Sequence, residues 1–245
     1  MPAKSSLSRA LAMVLAAWVA VVPAHARTVA FSGYTWDVRS GTGGPGPNQW
    51  NASNAWVDAA GALHLKVGKR SGVWTCAEVT LDQRLGFGTY EFKITGAIDQ
   101  LDRNVVLGLF DYPTPDVGPD GTNEIDVEFS RWGNAGNPIG NYTVWPLVAG
   151  LEPAERTFSF ALTDDRTTHR FTWSPKSIVF RSLRGFTSGN TPVFGQWSYR
   201  PTNPSSHIPQ NPLPVHLNVW LIKGHAPTNG QTVEIVINSF RFTPQ

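Results

Sequence analysis

Short runs in which apolar and polar residues alternate one by one recur along this chain, and they restrict its fold more than any other feature. Ala62-Leu63-His64-Leu65-Lys66-Val67 alternates strictly, and residues 87–95 set Tyr90, Phe92 and Ile94 against Glu91 and Lys93. A period of two places successive side chains on opposite faces of a strand. Residues 104–110, "NVVLGLF", are more uniformly apolar, as in an inner strand. Runs at 141–145, 157–162, 169–174, 178–182, 215–222 and 232–243 also read as strands. Turn signals such as Asp58-Ala59-Ala60-Gly61, Asp164-Asp165 and Thr228-Asn229-Gly230 punctuate them. There is no internal repeat and no long segment of helical period. Roughly a dozen short strands with regular turns predict an all-β chain, a sandwich or barrel, and suit a jelly-roll of two antiparallel sheets. Two stretches read as irregular: residues 41–48, "GTGGPGPN", and the long segment 188–214.

The first 26 residues stand apart. Lys4 and Arg9 precede an apolar run of 13 residues, Ala10 to Val22, and Ala24-His25-Ala26 has the small-x-small form of a cleavage site. The run is short of the ~20 residues that a spanning helix needs. A cleaved secretory signal over 1–26 is expected, leaving one exported domain over 27–245 with no membrane association. Removing Lys4 and Arg9 from the 20 basic residues leaves 18, against 18 acidic ones. This neutral balance, without a basic stripe, argues against nucleic acid as a partner. Cys76 is the only cysteine, so no disulfide closes within the chain; a buried, inert thiol is expected. The 10 Trp, 13 Phe and 5 Tyr exceed what a core alone suggests, and an aromatic groove suits the flat apolar faces of sugar rings.

One strand carries an unusual charge pattern. In "NEIDVEF", residues 123–129, Glu124, Asp126 and Glu128 share one face while Ile125, Val127 and Phe129 share the other. Acids are depleted in strands, and three on one face repel one another. A solvated surface would mix in cations, and none follows until Arg131. Calcium suits carboxylate oxygens, and Asp116 and Asp120-Gly121 have the flavour of a calcium loop. Its third and twelfth positions, however, are Gly118 and Val127. A third reading is a catalytic pair with a helper, since glycoside hydrolysis uses two carboxyl groups with separated pKa values. Residues i and i+4 of a strand lie about 13 Å apart at Cα. A retaining pair needs its carboxyl groups ~5–5.5 Å apart and an inverting pair ~6.5–9.5 Å. Spacing alone leaves the stereochemistry open.

The Glu-x-Asp-x-Glu pattern resembles the active-site signature of glycoside hydrolase family 16, and further segments extend the resemblance. "CAEV" (76–79) with "LGFGTYEFKI" (85–94), "GLFDYP" (108–113), "THRFTWSPKSIVF" (168–180) and "HLNVWL" (216–221) are similar in order and spacing, from about residue 31 to 243. The resemblance implies a jelly-roll β-sandwich of two curved antiparallel sheets with a substrate cleft, and a retaining double displacement. By position, Glu124 is the nucleophile, Asp126 its helper and Glu128 the general acid/base. Glu128 is expected to have a raised pKa and Glu124 to be ionised near neutral pH. Glu78, Tyr112, Asn141, Asn218 and Trp220 match substrate-binding positions, and Trp145 is added as an aromatic on a cleft strand. The single residue between successive acids resembles the lichenase and xyloglucan-enzyme branch, which implies an endo-acting enzyme on β-linked glucan.

Departures from that branch are visible. Thr122 replaces an aromatic, Thr80 replaces an arginine, and residues 181–185 differ from the usual turn. Asn238 stands where relatives have an aspartate associated with calcium, so no metal and no cofactor is expected. His169 is expected to satisfy buried polar groups. A polysaccharide or oligosaccharide substrate and a monomeric state complete the expectations. A transglycosylase with the same residues, and a carbohydrate-binding protein without turnover, remain open alternatives.

Overall fold

The computed structural model describes residues 27–245, and the expected signal segment 1–26 lies outside the described residues. The first strands are β1 (Arg27–Phe31), β2 (Tyr34–Val38), β3 (Gly41–Gly43), β4 (Asn48–Trp50), β5 (Ala55–Val57) and β6 (Leu63–Arg70). There follow β7 (Val73–Thr75), β8 (Ala77–Leu85), β9 (Gly88–Thr95), β10 (Val105–Asp111), β11 (Glu124–Phe129) and β12 (Gly140–Trp145). The last are β13 (Ala154–Phe158), β14 (Arg166–Ser174), β15 (Ser177–Arg184), β16 (Val193–Tyr199), β17 (Leu213–Leu221) and β18 (Val233–Pro244). One short helix, α1 (Pro204–His207), precedes β17. Eight strands form one antiparallel sheet in the order β1-β2-β8-β17-β10-β11-β12-β13. The second sheet runs β16-β15-β14-β9-β18-β6-β5, with β7 against β6. The fold is a jelly-roll sandwich, as the alternating runs predict.

The core lies between the sheets, where the inward halves of the alternating runs meet. Ile125, Val127 and Phe129 of β11 are fully buried. Phe129 packs its ring 4.8 Å from the His169 ring of the second sheet, and Tyr142 of β12 stacks on Phe180 of β15 at 4.8 Å and 19°. His169 is fully buried, its two ring nitrogens bonded to Ser182 Oγ and Thr167 Oγ1 at 2.9 Å each. Burial lowers its pKa to about 3, which makes it a neutral core residue as expected. Cys76 is buried too; its Sγ donates to Asn48 Oδ1, and burial pushes the thiol up to about 12. Asn238 Oδ1 accepts from the Thr95 hydroxyl at 2.8 Å. Truncating Phe129 to alanine empties a ring-sized volume in this core. It is expected to cost about 3–5 kcal/mol of stability, read as a shift in the denaturation midpoint.

Three sequence expectations need correction. The segment 188–214 is not simply irregular: it holds β16 and α1, and Trp197 stacks on Phe180 at 5.4 Å and 15°. Proline- and asparagine-rich flanks hide this strand, and its aromatics pair with β15 through long-range register that periodicity cannot reveal. Residues 41–48 are not all irregular either, since β3 and β4 form a hairpin, with Gly41 opposite Trp50. The strand expected at 157–162 occurs at Ala154–Phe158 instead. Phe160 and Leu162 still pack on the core from beyond its end, which preserves the alternation without the ladder. Phe158 fixes this arrangement. Its ring occupies the space that a Cβ on Gly140 or Gly195 would need, with approaches of 2.4 Å to each.

Candidate active site

The face of β11 that carries the acids turns away from the core. Antiparallel register then fixes what lies beside each acid. Glu124 is opposite Trp145 of β12. Asp126 heads a row that crosses the sheet through Phe110, His216 and Thr80. Glu128 lies in the next row, between Asn141 on one side and Gly108, Asn218 and Glu78 on the other. Trp220 follows two residues beyond Asn218 on β17. These rows floor a cleft of about 570 Å³. Glycine is needed at 108: a Cβ there would meet Asn218 Oδ1 at 2.6 Å, so the hollow beside Glu128 exists because the side chain is missing.

All three acids line this cleft, together with Glu78, Tyr112, Trp145, Asn218 and Trp220. Asn141 does not. It is buried next to Glu128 in the ladder, and its Oδ1 accepts from Thr143 Oγ1 at 2.9 Å. Trp145 lines the cleft as expected of an aromatic on a cleft strand, and its Nε1–H also donates to Asp126 Oδ2 at 3.0 Å. Tyr112 donates its hydroxyl to Asp120 Oδ1 at 2.6 Å. Asp116 is held by the paired amino groups of Arg84, at 2.7 and 2.8 Å. The two aspartates of the calcium-like stretch are therefore engaged with protein groups. Among the described residues no group of three or more His, Cys, Asp or Glu is arranged to hold a metal.

Crowding shifts the acids in one direction. Burial pushes Glu124 up to about 8; a hydrogen bond with Asp126 opposes this, and the charges of Glu128 and Asp120 add to it. Burial also raises Asp126 well above the carboxylate range, and the charge and hydrogen bond of Glu124 add to the rise. The two carboxyl groups act on each other in opposite directions, as neighbours able to share one proton do. Glu128 is raised as well, by burial and then by the charges of Asp126 and Glu155. Against the expectation of an ionised Glu124 near neutral pH, all three shifts favour the protonated forms, and the trio titrates as a coupled set. Glu78 moves the other way. Burial opposes its ionisation, but His216, Arg39 and Asn218 together keep it below the usual range. Arg39 Nη1 and Asn218 Nδ2 reach its two oxygens at 3.0 and 3.1 Å.

Removing the indole donor should destabilise charge on the trio. Trp145→Phe is expected to lower kcat/KM about tenfold, the value of one charge-assisted hydrogen bond, with an unchanged melting temperature. An unaltered rate would show that this bond plays no part.

Several lining residues escape sequence reasoning. Phe110 belongs to an apolar run and to the segment 108–113, neither of which assigns it a role; its place in the Asp126 row depends on register. Arg39, Asp120 and Trp132 come from segments outside the regular alternation. Trp132 sits in left-handed backbone at φ 51°, with its N–H bonded to Ser130 Oγ, and packs edge-on against Trp220 at 6.3 Å. His216 belongs to a strand that was recognised, but its polar side chain received no role.

No family model and no curated protein matches the chain. Solved structures do. A β-glucanase of Bacillus licheniformis aligns with 21% identity over 86% of this chain and 92% of its own, with a TM-score of 0.62. The chain has the β-glucanase fold. A β-1,3-glucanase of Mycobacterium marinum shares it at 20% identity, over 85% of this chain and 90% of that one, with a TM-score of 0.63. So does an immunostimulatory antigen and pseudo β-1,3-glucanase of Mycobacterium tuberculosis, at 18% identity over 86% and 91%, with a TM-score of 0.64. On this β-glucanase scaffold, the acidic face of β11 opens into the cleft described above.

Proposed function

We propose that this chain is a secreted, endo-acting glycoside hydrolase of family 16 that cleaves β-linked glucan with retention. The observation that supports this best is the row structure of the cleft. Two glutamates flank an aspartate on one strand, over a floor of aromatic and hydrogen-bonding side chains. In this reading Glu124 attacks the anomeric carbon while Glu128 protonates the departing oxygen. Glu128 then takes a proton from the water that releases the sugar. Asp126 stabilises the charge on Glu124 before attack through the bond they share. Trp220, Trp132 and Phe110 offer flat faces to pyranose rings, and Glu78 and Asn218 offer hydrogen bonds to hydroxyls. Domain extent over 27–245, export after loss of residues 1–26, and a monomeric state belong to the same reading.

A panel of lichenan, laminarin, xyloglucan, agarose and chitin, with products separated by size, tests it. Internal cleavage of a glucan to mid-sized oligosaccharides is the expected result. Longer products than the starting chains would indicate transfer to sugar acceptors. A second reading, glycan binding without turnover, is favoured by the likeness to a protein described as a pseudo-glucanase. Saturable binding with no new reducing ends from any polysaccharide would establish it.

A further inference from the structure

We propose that His216 is a substrate-binding residue: its Nε2 accepts a hydrogen bond from a hydroxyl of a sugar lying over Phe110, in the same row of the floor as Asp126. This rests on the reading of the cleft as a glycan site.

The ring is fixed on several sides. It stacks on Phe110 at 5.1 Å and 30°, and Tyr112 meets it at 5.6 Å and 61°. Its Nδ1 is 3.1 Å from Thr80 Oγ1 and 3.6 Å from Glu78 Oε1. Arg39 and Asn218 hold Glu78 from its other sides, and Asp120, Glu124, Asp126 and Glu128 are the other acids lining this cleft. In the neutral tautomer that carries its proton on Nδ1, toward Thr80 and Glu78, the ring presents a lone pair on Nε2. Among the described residues, Nε2 has no hydrogen-bond partner, and it is not sealed from solvent. His169 shows what a purely structural histidine looks like in this protein: both nitrogens are engaged and the residue is fully buried. The His216 side chain instead keeps 15% exposure in the wall of the cleft. One nitrogen anchored, one unpaired and a ring clamped by aromatics describe an acceptor oriented in advance, which binds with little loss of side-chain freedom.

The test separates the two nitrogens. Asparagine places an amide near the position of Nδ1 and can keep the Thr80 contact, whereas glutamine reaches the position of Nε2. Each change is made in a Glu128→Gln background, so that binding is read without turnover. Hexasaccharides from β-1,3-1,4-, β-1,4- and β-1,3-glucan are titrated by calorimetry, and melting temperatures are recorded. His216→Asn is expected to weaken binding about tenfold, the value of one hydrogen bond, while His216→Gln retains most of the affinity. Neither should shift the melting temperature. With Glu128 restored, His216→Asn should raise KM and leave kcat unchanged, as expected for uniform binding. Equal affinity in both variants, or equal losses accompanied by a fall in melting temperature, would overturn the proposal. Binding with the expected pattern but no hydrolysis by the unaltered protein would refute the hydrolase reading and leave His216 in its role. Failure of the unaltered cleft to bind any of the three glucans would overturn both.

Discussion

Alanine in place of Glu124 will give a folded protein that releases no sugar above background from the glucan that the unaltered protein cleaves. The carboxylate is the atom group that forms the bond to the anomeric carbon, so no residual route of comparable rate remains. Glu128→Ala removes proton transfer instead, and should cost on the order of 10²–10⁴-fold, most for substrates with poor leaving groups. The two variants differ in what rescues them. A small anion such as azide can enter the space vacated at Glu124 and attack from that face, giving a glycosyl azide of inverted configuration. At position 128 it can only replace water in the second step, giving the retained one. Both variants should keep the melting temperature or raise it, because each deletes a half-buried acid that desolvation and then neighbouring charges push toward its protonated form. Native hydrolysis by a folded Glu124→Ala protein would contradict the assignment.

The largest expected gain in stability comes from a residue outside the cleft. Asp111 ends β10 on its core face, in register with Ile125, after Leu107 and Leu109 on the same side. It is fully buried, and neither carboxyl oxygen has a hydrogen-bond partner. Burial, and then the charge of Asp126, raises it well above the carboxylate range. Tyr90, whose own titration responds to Asp111, gives its hydroxyl to Gly86 O at 2.6 Å and so offers no relief. The pH dependence follows from the direction of the shift. Below pH ~4 the acid is protonated both folded and unfolded, and ionisation costs nothing. As pH rises past that point the unfolded chain loses the proton and the folded chain retains it. Stability therefore falls until the folded pKa is reached. Asp111→Leu is expected to add about 2–3 kcal/mol near neutral pH, by removing an unsatisfied buried acid. That corresponds to a rise of about 4–12 °C in melting temperature. Asp111→Asn, which cannot ionise, should flatten the pH dependence without the full gain. Melting curves between pH 3 and 9 check both. A gain that does not grow with pH would show that Asp111 is paired in solution.

The contrast between these two acids shows what a sequence reveals and what it withholds. The acids of β11 were visible because three share one parity within five residues, and the apolar residues between them assign the opposite face to the core. Asp111 has a parity as well, that of Leu107 and Leu109. Read strictly, the alternation already puts it inside, but a single polar residue at a strand end is easily taken for the start of a loop. Trp145 is legible as an aromatic on a cleft strand, and it does line the cleft. Its bond to Asp126 depends on the pairing of β11 with β12, and pairing is a property of register rather than of either strand alone. The same holds for Phe110 and His216, which fall into the row of Asp126 only when β10 is laid beside β11 and β17 beside β10. Trp132 lies beyond alternation altogether, in a left-handed turn held by Ser130. Motif resemblance places Asn141 in the cleft; register does put it on the face of Glu128, but its Oδ1 is taken by the Thr143 hydroxyl.

The central claim is that Glu124 makes a covalent bond to sugar, and trapping that bond is its most direct test. A 2-deoxy-2-fluoro β-glucan oligosaccharide with a good leaving group slows the release of the sugar and so accumulates the glycosyl-enzyme. Digestion and mass spectrometry then locate the adduct. The account predicts one added glycosyl group on Glu124, in the peptide that contains residues 123–129. An adduct on Glu128, or none while the protein turns over the unfluorinated glucan, would contradict it.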